Sequence, residues 1–240
     1  MRQNITILGS TGSIGVQTLD IIRENPTLFE VVTLTANNGW ECLARQAIEF
    51  QVDSVVIANK EHYAALCDAL KSHPIKVYAG DDAVSQVCSN SEVDIVVNAL
   101  VGYAGLNPTV TAIEAGKKVA LANKESLVVG GEYVMKLALQ KGVPILPIDS
   151  EHSAIFQCLI GETSPVRRLI ITCSGGSLRN YKREELARVT VKEALNHPQW
   201  SMGSKITIDS STLVNKGFEV IEAHWLFGID PSRIDVIHHP

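Results

Sequence analysis

The chain has 240 residues, 45% of them hydrophobic, enough to bury a substantial core in one large domain or two smaller ones. Its formal net charge at pH 7 is −5, and Lys and Arg form no stripe along it, which argues against nucleic acid as a partner. A phosphorylated ligand stays open, because a pocket sets its own local field.

The chain enters a strand pattern at once, without a charged and apolar leader or a long apolar stretch, so neither a signal peptide nor a membrane span is expected. Through the first 150 residues, Val/Ile-rich runs alternate with longer helical patterns. The predicted strands are Asn4–Leu8, Val31–Thr35, Ser54–Ala58, Lys76–Tyr78, Ile95–Ala99, Lys118–Leu121 and Pro144–Ile148. Predicted helices between them include Ser13–Arg23, Cys42–Phe50, Glu61–Lys71 and Glu132–Lys141. This alternation predicts an α/β fold, a Rossmann-like doubly wound parallel sheet with helices on both faces.

Past Asp149 the pattern changes. A turn at Glu162–Pro165 precedes a strand at Arg168–Thr172 and a Ser/Gly loop at Ser174–Ser177. Glu184–Leu195 reads as a polar helix, His197–Gly203 as irregular, Lys205–Ile208 as a strand, Thr212–Phe227 as a helix and Ile234–His238 as a final strand. The boundary is expected near residue 150, giving a nucleotide-binding domain over 1–150 and a smaller α+β catalytic domain over 151–240. The unfinished edge at the last strand leads us to expect a piece of a longer protein. Five cysteines (Cys42, Cys67, Cys88, Cys158 and Cys173) form no CxxC pair, which fits reduced thiols in a cytoplasmic setting.

Gly9-Ser-Thr-Gly12-Ser-Ile-Gly15 follows the first strand and opens the first helix. Glycines there allow a tight turn, close backbone approach to a pyrophosphate, and close helix–sheet packing, while the helix N-terminus supplies free N–H donors. Thr11 and Ser13 add hydroxyls. The second strand ends in Asn37-Asn38-Gly39 with no acid to bind a ribose 2′-hydroxyl, which favours NADP over NAD and makes Asn37 and Asn38 cofactor-contact candidates. Arg45 is the nearest basic residue in sequence.

Asp149-Ser150-Glu151 follows the strand at Pro144–Ile148, at a carboxyl end of the sheet. Paired carboxylates there suit a hard divalent cation; the same residues also read as the capped start of a helix. In the late helix, Val214, Phe218, Ile221 and Trp225 form an apolar stripe expected to face the core, and Asn215, Glu219 and Glu222 form a polar stripe beside it. Lys216 and Glu219 read equally as a surface ion pair. Gly217, unfavourable in mid-helix, suggests close approach of something to that turn.

Several blocks taken in order resemble one family. They are Gly9–Gly15, Leu121-Ala-Asn-Lys-Glu-Ser126, Asp149-Ser-Glu-His152, Ser174-Gly-Gly176, His197-Pro-Gln-Trp-Ser-Met-Gly203, and Asp209-Ser-Ser-Thr212 with Asn215-Lys-Gly217. In order and spacing they are similar to the 1-deoxy-D-xylulose 5-phosphate reductoisomerases. The resemblance implies isomerisation of that sugar phosphate and its reduction by NADPH, with Mg²⁺ or Mn²⁺, to 2-C-methyl-D-erythritol 4-phosphate in non-mevalonate isoprenoid synthesis. It implies Asp149, Glu151 and Glu219 as metal ligands, with Lys124 and Ser150 at the substrate beside the metal. It implies Ser174, His197, Ser210, Asn215 and Lys216 around the substrate, largely at its phosphate end. Thr11, Gly12, Ser13, Ile14, Asn123, Glu125 and Gly203 are implied at NADPH.

Trp200 and Met202 read either as a lid over the substrate or as ordinary packing under a loop, His152 and His224 as structural, and Glu222 as standing behind the ligands. The family implies a homodimer when full-length, and a further catalytic region and helical domain not present in these 240 residues, so weak turnover beside intact cofactor binding is expected. Two other readings compete. A simple NADP-dependent dehydrogenase of a small aldehyde needs no three-carboxylate site, and a non-catalytic NADP sensor needs none of the carboxylates.

Overall fold

The computed structural model describes residues 2–239; Met1 and Pro240, the outer ends of the two expected domains, lie outside the described residues. The chain divides into two compact units, Met1–Ile148 and Asp149–Pro240.

In the first unit β1 (Gln3–Leu8) leads into α1 (Ser13–Glu24), β2 (Phe29–Ala36), α2 (Trp40–Phe50), β3 (Ser54–Ile57), α3 (Tyr63–Leu70), β4 (Lys76–Ala79) and α4 (Asp81–Gln86). Then follow β5 (Ile95–Asn98), α5 (Leu106–Glu114), β6 (Lys118–Leu121), α6 (Glu125–Lys141) and β7 (Ile145–Pro147). The strands form a seven-stranded sheet in the order β4-β3-β2-β1-β5-β6-β7, with every adjacent pair parallel. The order reverses between β1 and β5, so the carboxyl ends of these two strands open the crevice where such sheets bind ligands. Continuous burial along β2 and β3 follows from helical cover of both faces. Ile7, Leu34, Val55 and Ile57 join Leu19 of α1, Leu43 and Ala47 of α2 and Leu66 of α3 in one core.

The helix expected from Glu132 begins instead at Glu125. The helix passes through Gly130-Gly131 with a kink at Gly130 (φ −132°, ψ 25°).

The second unit has α7 (Ser150–Leu159), β8 (Leu169–Cys173), α8 (Val191–Ala194), α9 (Ser204–Ser211), α10 (Val214–Phe227) and β9 (Ile234–His238). β8 and β9 pair in parallel. Their inward residues Leu169, Ile171 and Ile234 meet Ala223 and Ile229, with Ile155, Val220 and Phe227 packed around them.

Three expectations are corrected here. Lys205–Ile208, expected as a strand from its β-branched residues, lies within α9. Thr207 bonds back to the Gly203 carbonyl (2.8 Å) and Lys205 pairs with Asp209 (2.6 Å), both at helical i, i+4 spacing that outweighs β-propensity. The helix expected from Thr212 starts at Val214, because Leu213 adopts a left-handed conformation (φ 67°) that separates α9 from α10. Glu184–Leu195 breaks at Val189, which is extended, and Thr190 then caps the short α8 through a reciprocal capping box with Glu193.

Two outcomes follow from this packing. An Ala at Gly15 would place its Cβ 2.3 Å from the Gly9 carbonyl oxygen, whereas at Gly12 the same atom lies at 3.4 Å. Gly15→Ala is therefore expected to lower stability by about 1–3 kcal/mol and Gly12→Ala by about 0.5 kcal/mol or less, as read by chemical denaturation. Cys88 is buried, its thiol against the Val84 carbonyl, and burial pushes its pKa up to about 12; Cys158 is exposed. A thiol reagent at pH 8 should label Cys158 promptly and Cys88 only on unfolding.

Candidate functional site

In the first unit the glycine loop is pinned from below. The Gly9 N–H bonds the Thr35 hydroxyl at 3.0 Å, and the Ser10 N–H bonds the Thr35 carbonyl at 2.9 Å. The Ser10 hydroxyl bonds Gln46 Oε1 at 2.8 Å, and Gln46 Nε2 returns a bond to the Ser10 carbonyl at 3.0 Å. Gly9 needs its positive φ (80°), and a Cβ there would meet the Ala99 carbonyl at 2.9 Å, so this turn lies at the point where strand order reverses. Gly12 ends the loop and gives α1 no side-chain cap, while Gly12, Ser13 and Ile14 are exposed. This is the arrangement that offers N–H groups and a helix dipole to a phosphate.

Asn37 and Asn38 are exposed, and Gly39 stands against the Thr11 side chain, which brings the two expected cofactor loops together. The turn is tied to β3's end: the Asn59 N–H bonds the Asn37 carbonyl at 3.1 Å, and Asn59 Nδ2 bonds Asn38 Oδ1 at 2.9 Å. Lys60, one residue further on, is a cation that sequence reasoning passed over, because only strand pairing brings Asn59 to this turn. Arg45, the candidate from sequence distance, lies exposed within α2.

Asn123 has its amide engaged inside the protein. Its Nδ2 donates to the carbonyls of Leu100 (2.8 Å) and Gly102 (2.9 Å) and to Glu125 (3.2 Å), and its Oδ1 accepts from the Ser126 N–H (3.0 Å) and hydroxyl. The side chain thus clamps the loop after β5. Lys124, the next residue, stands at the start of α6 and is buried, unlike an ordinary surface lysine.

In the second unit Asp149 is the N-cap of α7, its carboxylate accepting the Ser150 N–H at 3.2 Å, and Glu151 lies in the first turn. The helix-start reading of this stretch and its acidic cluster are therefore one arrangement. Oxygens of Asp149, Glu151 and Glu219 all lie within 4.8 Å of one another. Lys216 joins them: Nζ is 3.0 Å from Glu151 Oε1 and 2.8 Å from the Thr172 carbonyl, and it bonds the Glu219 carboxylate. This ammonium lies among the carboxylates and also lines the cavity beside them. The pair with Glu219 has the i, i+3 spacing of a surface ion pair, but the two residues are only 5% and 2% exposed.

Three ionised carboxylates and one ammonium leave two negative charges, matching a divalent cation, and the donors are all hard oxygens. Burial works against charge on both Lys216 and Glu151. Glu219 and then Glu151 outweigh it for Lys216 and raise its pKa, while the Ser150 hydroxyl (2.6 Å from Glu151 Oε2) and Lys216 outweigh it for Glu151 and hold the carboxyl below its usual range.

In α10 Glu219 and Glu222 of the polar stripe are buried, as is Lys216, and the apolar stripe is only partly covered, with Val214 and Ile221 exposed. A Cβ at Gly217 would meet nothing within 4 Å among the described residues.

A cavity of ≈ 330 Å³ opens at the carboxylates, within the range of small-ligand sites. Ser150, Ser174, His197, Ser210, Asn215 and Lys216 line it together with the three acids, and so do Trp200 and Met202. Ile206 and Leu213 form apolar wall that sequence reasoning missed, Ile206 because its segment read as a strand. Gly176 is required here, since a Cβ would fall 1.8 Å from the Ser210 carbonyl; the serine loop and α9 meet through their backbones. His197 Nδ1 accepts the N–H groups of Gln199 (3.2 Å) and Trp200 (3.0 Å), which leaves Nε2 of the neutral ring as a donor. Gly203 ends the same loop as the N-cap of α9.

Comparisons with known proteins point to one family. Residues 5–131 match the family model for 1-deoxy-D-xylulose 5-phosphate reductoisomerase, and residues 145–227 match the model for its C-terminal domain. The reductoisomerase of Bacteroides thetaiotaomicron is 58% identical over the whole chain, and that of Geobacillus kaustophilus 52% over 98% of it; the chain spans 62% of the length of each. A crystal structure of the reductoisomerase in complex with NADPH, fosmidomycin and magnesium superposes with a TM-score of 0.93 at 42% identity, covering 99% of this chain and 61% of that one. The Zymomonas mobilis enzyme in complex with NADPH gives 0.87 at 41% identity, covering 98% of this chain and 61% of that one. Two family models matched in succession along one chain leave a single assignment: it belongs to the 1-deoxy-D-xylulose 5-phosphate reductoisomerase family.

Proposed function

We propose that this chain forms the NADPH-binding and metal-binding part of an enzyme that isomerises 1-deoxy-D-xylulose 5-phosphate and reduces the product to 2-C-methyl-D-erythritol 4-phosphate. The observation that carries this reading is the convergence of Asp149, Glu151 and Glu219, from segments far apart in sequence, around one point beside a ligand-sized cavity. A simple aldehyde dehydrogenase would have no use for that cluster. The complex of a relative with NADPH, fosmidomycin and magnesium supports the same cofactor and ion here.

Residues 1–150 then hold NADPH. The pyrophosphate lies over Thr11–Ile14, at the start of α1, and Asn37 and Asn38 flank the ribose that carries the 2′-phosphate, with the cation Lys60 directly after Asn59, which bonds that turn. Glu125 stands beside the loop clamped by Asn123. Residues 151–240, with Asp149 and Ser150, hold the ion and the sugar phosphate. A Mg²⁺ or Mn²⁺ ion bound by Asp149, Glu151 and Glu219 supplies Lewis-acid polarisation of the substrate's ketone and hydroxyl oxygens. Ser174, Ser210, Asn215 and the Nε2–H of His197 offer neutral donors to the phosphate, and Lys216 contributes charge from within the carboxylate cluster. Lys124 and Ser150 bind the reacting end, Gly203 adjoins the cofactor, and Trp200 with Met202 excludes water as a lid. Assembly as a homodimer belongs to the full-length protein.

The chain should bind one Mn²⁺, followed by the paramagnetic resonance signal of the free ion. Glu219→Gln should weaken that binding at least about tenfold, a loss of roughly 1.4 kcal/mol, without changing NADPH affinity. Equal Mn²⁺ affinity in the variant and the parent chain would sink the metal assignment. Separately, Lys60→Ala should weaken NADPH binding about tenfold, as expected for loss of one charge-assisted phosphate contact. NADH binding, which lacks the 2′-phosphate, should be unaffected; cofactor fluorescence reads both.

A further inference from the structure

His152 is completely buried, and its ring reaches two of the three carboxylate ligands by different routes. Nε2 lies 2.9 Å from the Glu219 main-chain carbonyl. A carbonyl oxygen only accepts, so Nε2 carries a hydrogen and donates it. On the other side, Nδ1 lies 3.6 Å from Asp149 Oδ2 and 3.4 Å from Glu222 Oε2. Phe227 stacks parallel to the imidazole, with ring centroids 6.3 Å apart, and so limits tilting of the ring. Asp149 therefore belongs to two sets at once: with Glu151 and Glu219 towards the cavity, and with His152 and Glu222 behind it.

Glu222 is 0% exposed and does not line the cavity, which rules it out as an open ligand. Burying a carboxylate and an imidazole is costly where apolar residues of the same size would pack without penalty. Building on the metal reading above, we infer that Glu222 and His152 are a positioning pair. Glu222 fixes the imidazole, and the imidazole fixes both the Asp149 carboxylate and the α10 backbone at Glu219. The pair thereby sets the separation of ligands contributed by α7 and α10. Partners of this kind behind metal ligands typically change affinity about 10–100-fold when removed.

The test is Mn²⁺ titration of the same chain carrying Glu222→Leu, Glu222→Asn or Glu222→Gln, with NADPH affinity and circular dichroism as controls. Leu cannot hold the ring and Asn is too short to reach it, so each should weaken Mn²⁺ binding about tenfold or more. Gln can accept from Nδ1 or donate to it, and should remain within about threefold of the parent. NADPH affinity should not move in any of them. The Asn variant serves if Leu prevents folding. Folded Leu or Asn variants that bind Mn²⁺ as tightly as the parent would overturn the inference and leave the metal reading intact, as would a lowered unfolding midpoint with unchanged Mn²⁺ affinity. A parent chain that binds no Mn²⁺ would overturn both.

Discussion

The second unit is organised by the need to neutralise charge that it has taken inside. Its apolar core is small, with five buried residues and four partly buried ones around them, and beside it lie Glu219, Glu222, Lys216 and His152, all buried. None of these is tolerable alone, since an uncompensated buried ion costs several kcal/mol or more. Lys216 answers Glu151 and Glu219, His152 answers Asp149 and Glu222, and Asn215 donates to Glu219 at 2.5 Å. Some of these pairs lie within one helix, but Lys216 with Glu151 and the Thr172 carbonyl, and His152 with Glu222 and the Glu219 carbonyl, bring α7, β8 and α10 together. The same condition that holds the unit together gathers the carboxylates at one point.

Hydrophobic pattern is a sound guide only where apolar burial is what packs an element. In the first unit it is. The predicted strands agree with β1 to β7 to within two residues at either end, because the inner ones are runs rich in Val, Ile and Leu covered on both faces, while the edge strands β4 and β7 are only partly covered. In α10 the rule covers only part of the helix: Val220, Ala223 and Phe227 pack into the core, Lys216, Glu219 and Glu222 are buried beside them, and Val214 and Ile221 are exposed. Ions buried beside an apolar core are themselves a mark of a site, since inward-facing charges must have something to do there. Residue spacing alone could not reveal it, because the apolar and polar stripes lie side by side and either can face in.

The short elements around the cavity failed for a related reason. Lys205–Ile208 has the composition of a strand, and its helical state depends on bonds four residues away, from Thr207 to Gly203 and from Lys205 to Asp209. Leu213, in a left-handed conformation that its side chain disfavours, ends α9 and redirects the chain into α10, and nothing in its local sequence announces this. Ile206 and Leu213 line the cavity as a result of these two features. Site residues found from short motifs, such as Asp149, Glu151 and Ser174, sit at helix caps or glycine-marked loops, where local chemistry leaves a trace in sequence.

Asn123 shows the remaining limit. A motif carries residue identity, not the atom that does the work, and here the side chain reaches Leu100, Gly102 and Ser126 rather than outward. The clamp is specific: a Cβ at Gly105 would lie 2.3 Å from the Asn123 amide, so the loop after β5 fits against this side chain only because residue 105 is glycine. Asn98 binds the Gly105 carbonyl (2.9 Å) and Thr109 (2.8 Å), which closes the network from the neighbouring strand. Lys124 follows directly on this rigid point, so its buried backbone position is set by hydrogen bonds that Asn98 and Asn123 direct into the protein. In the first unit, as in the second, the residues that hold the reactive groups in place are polar and buried, with some of their contacts to segments distant in sequence. That is why the fold was easier to read than the site.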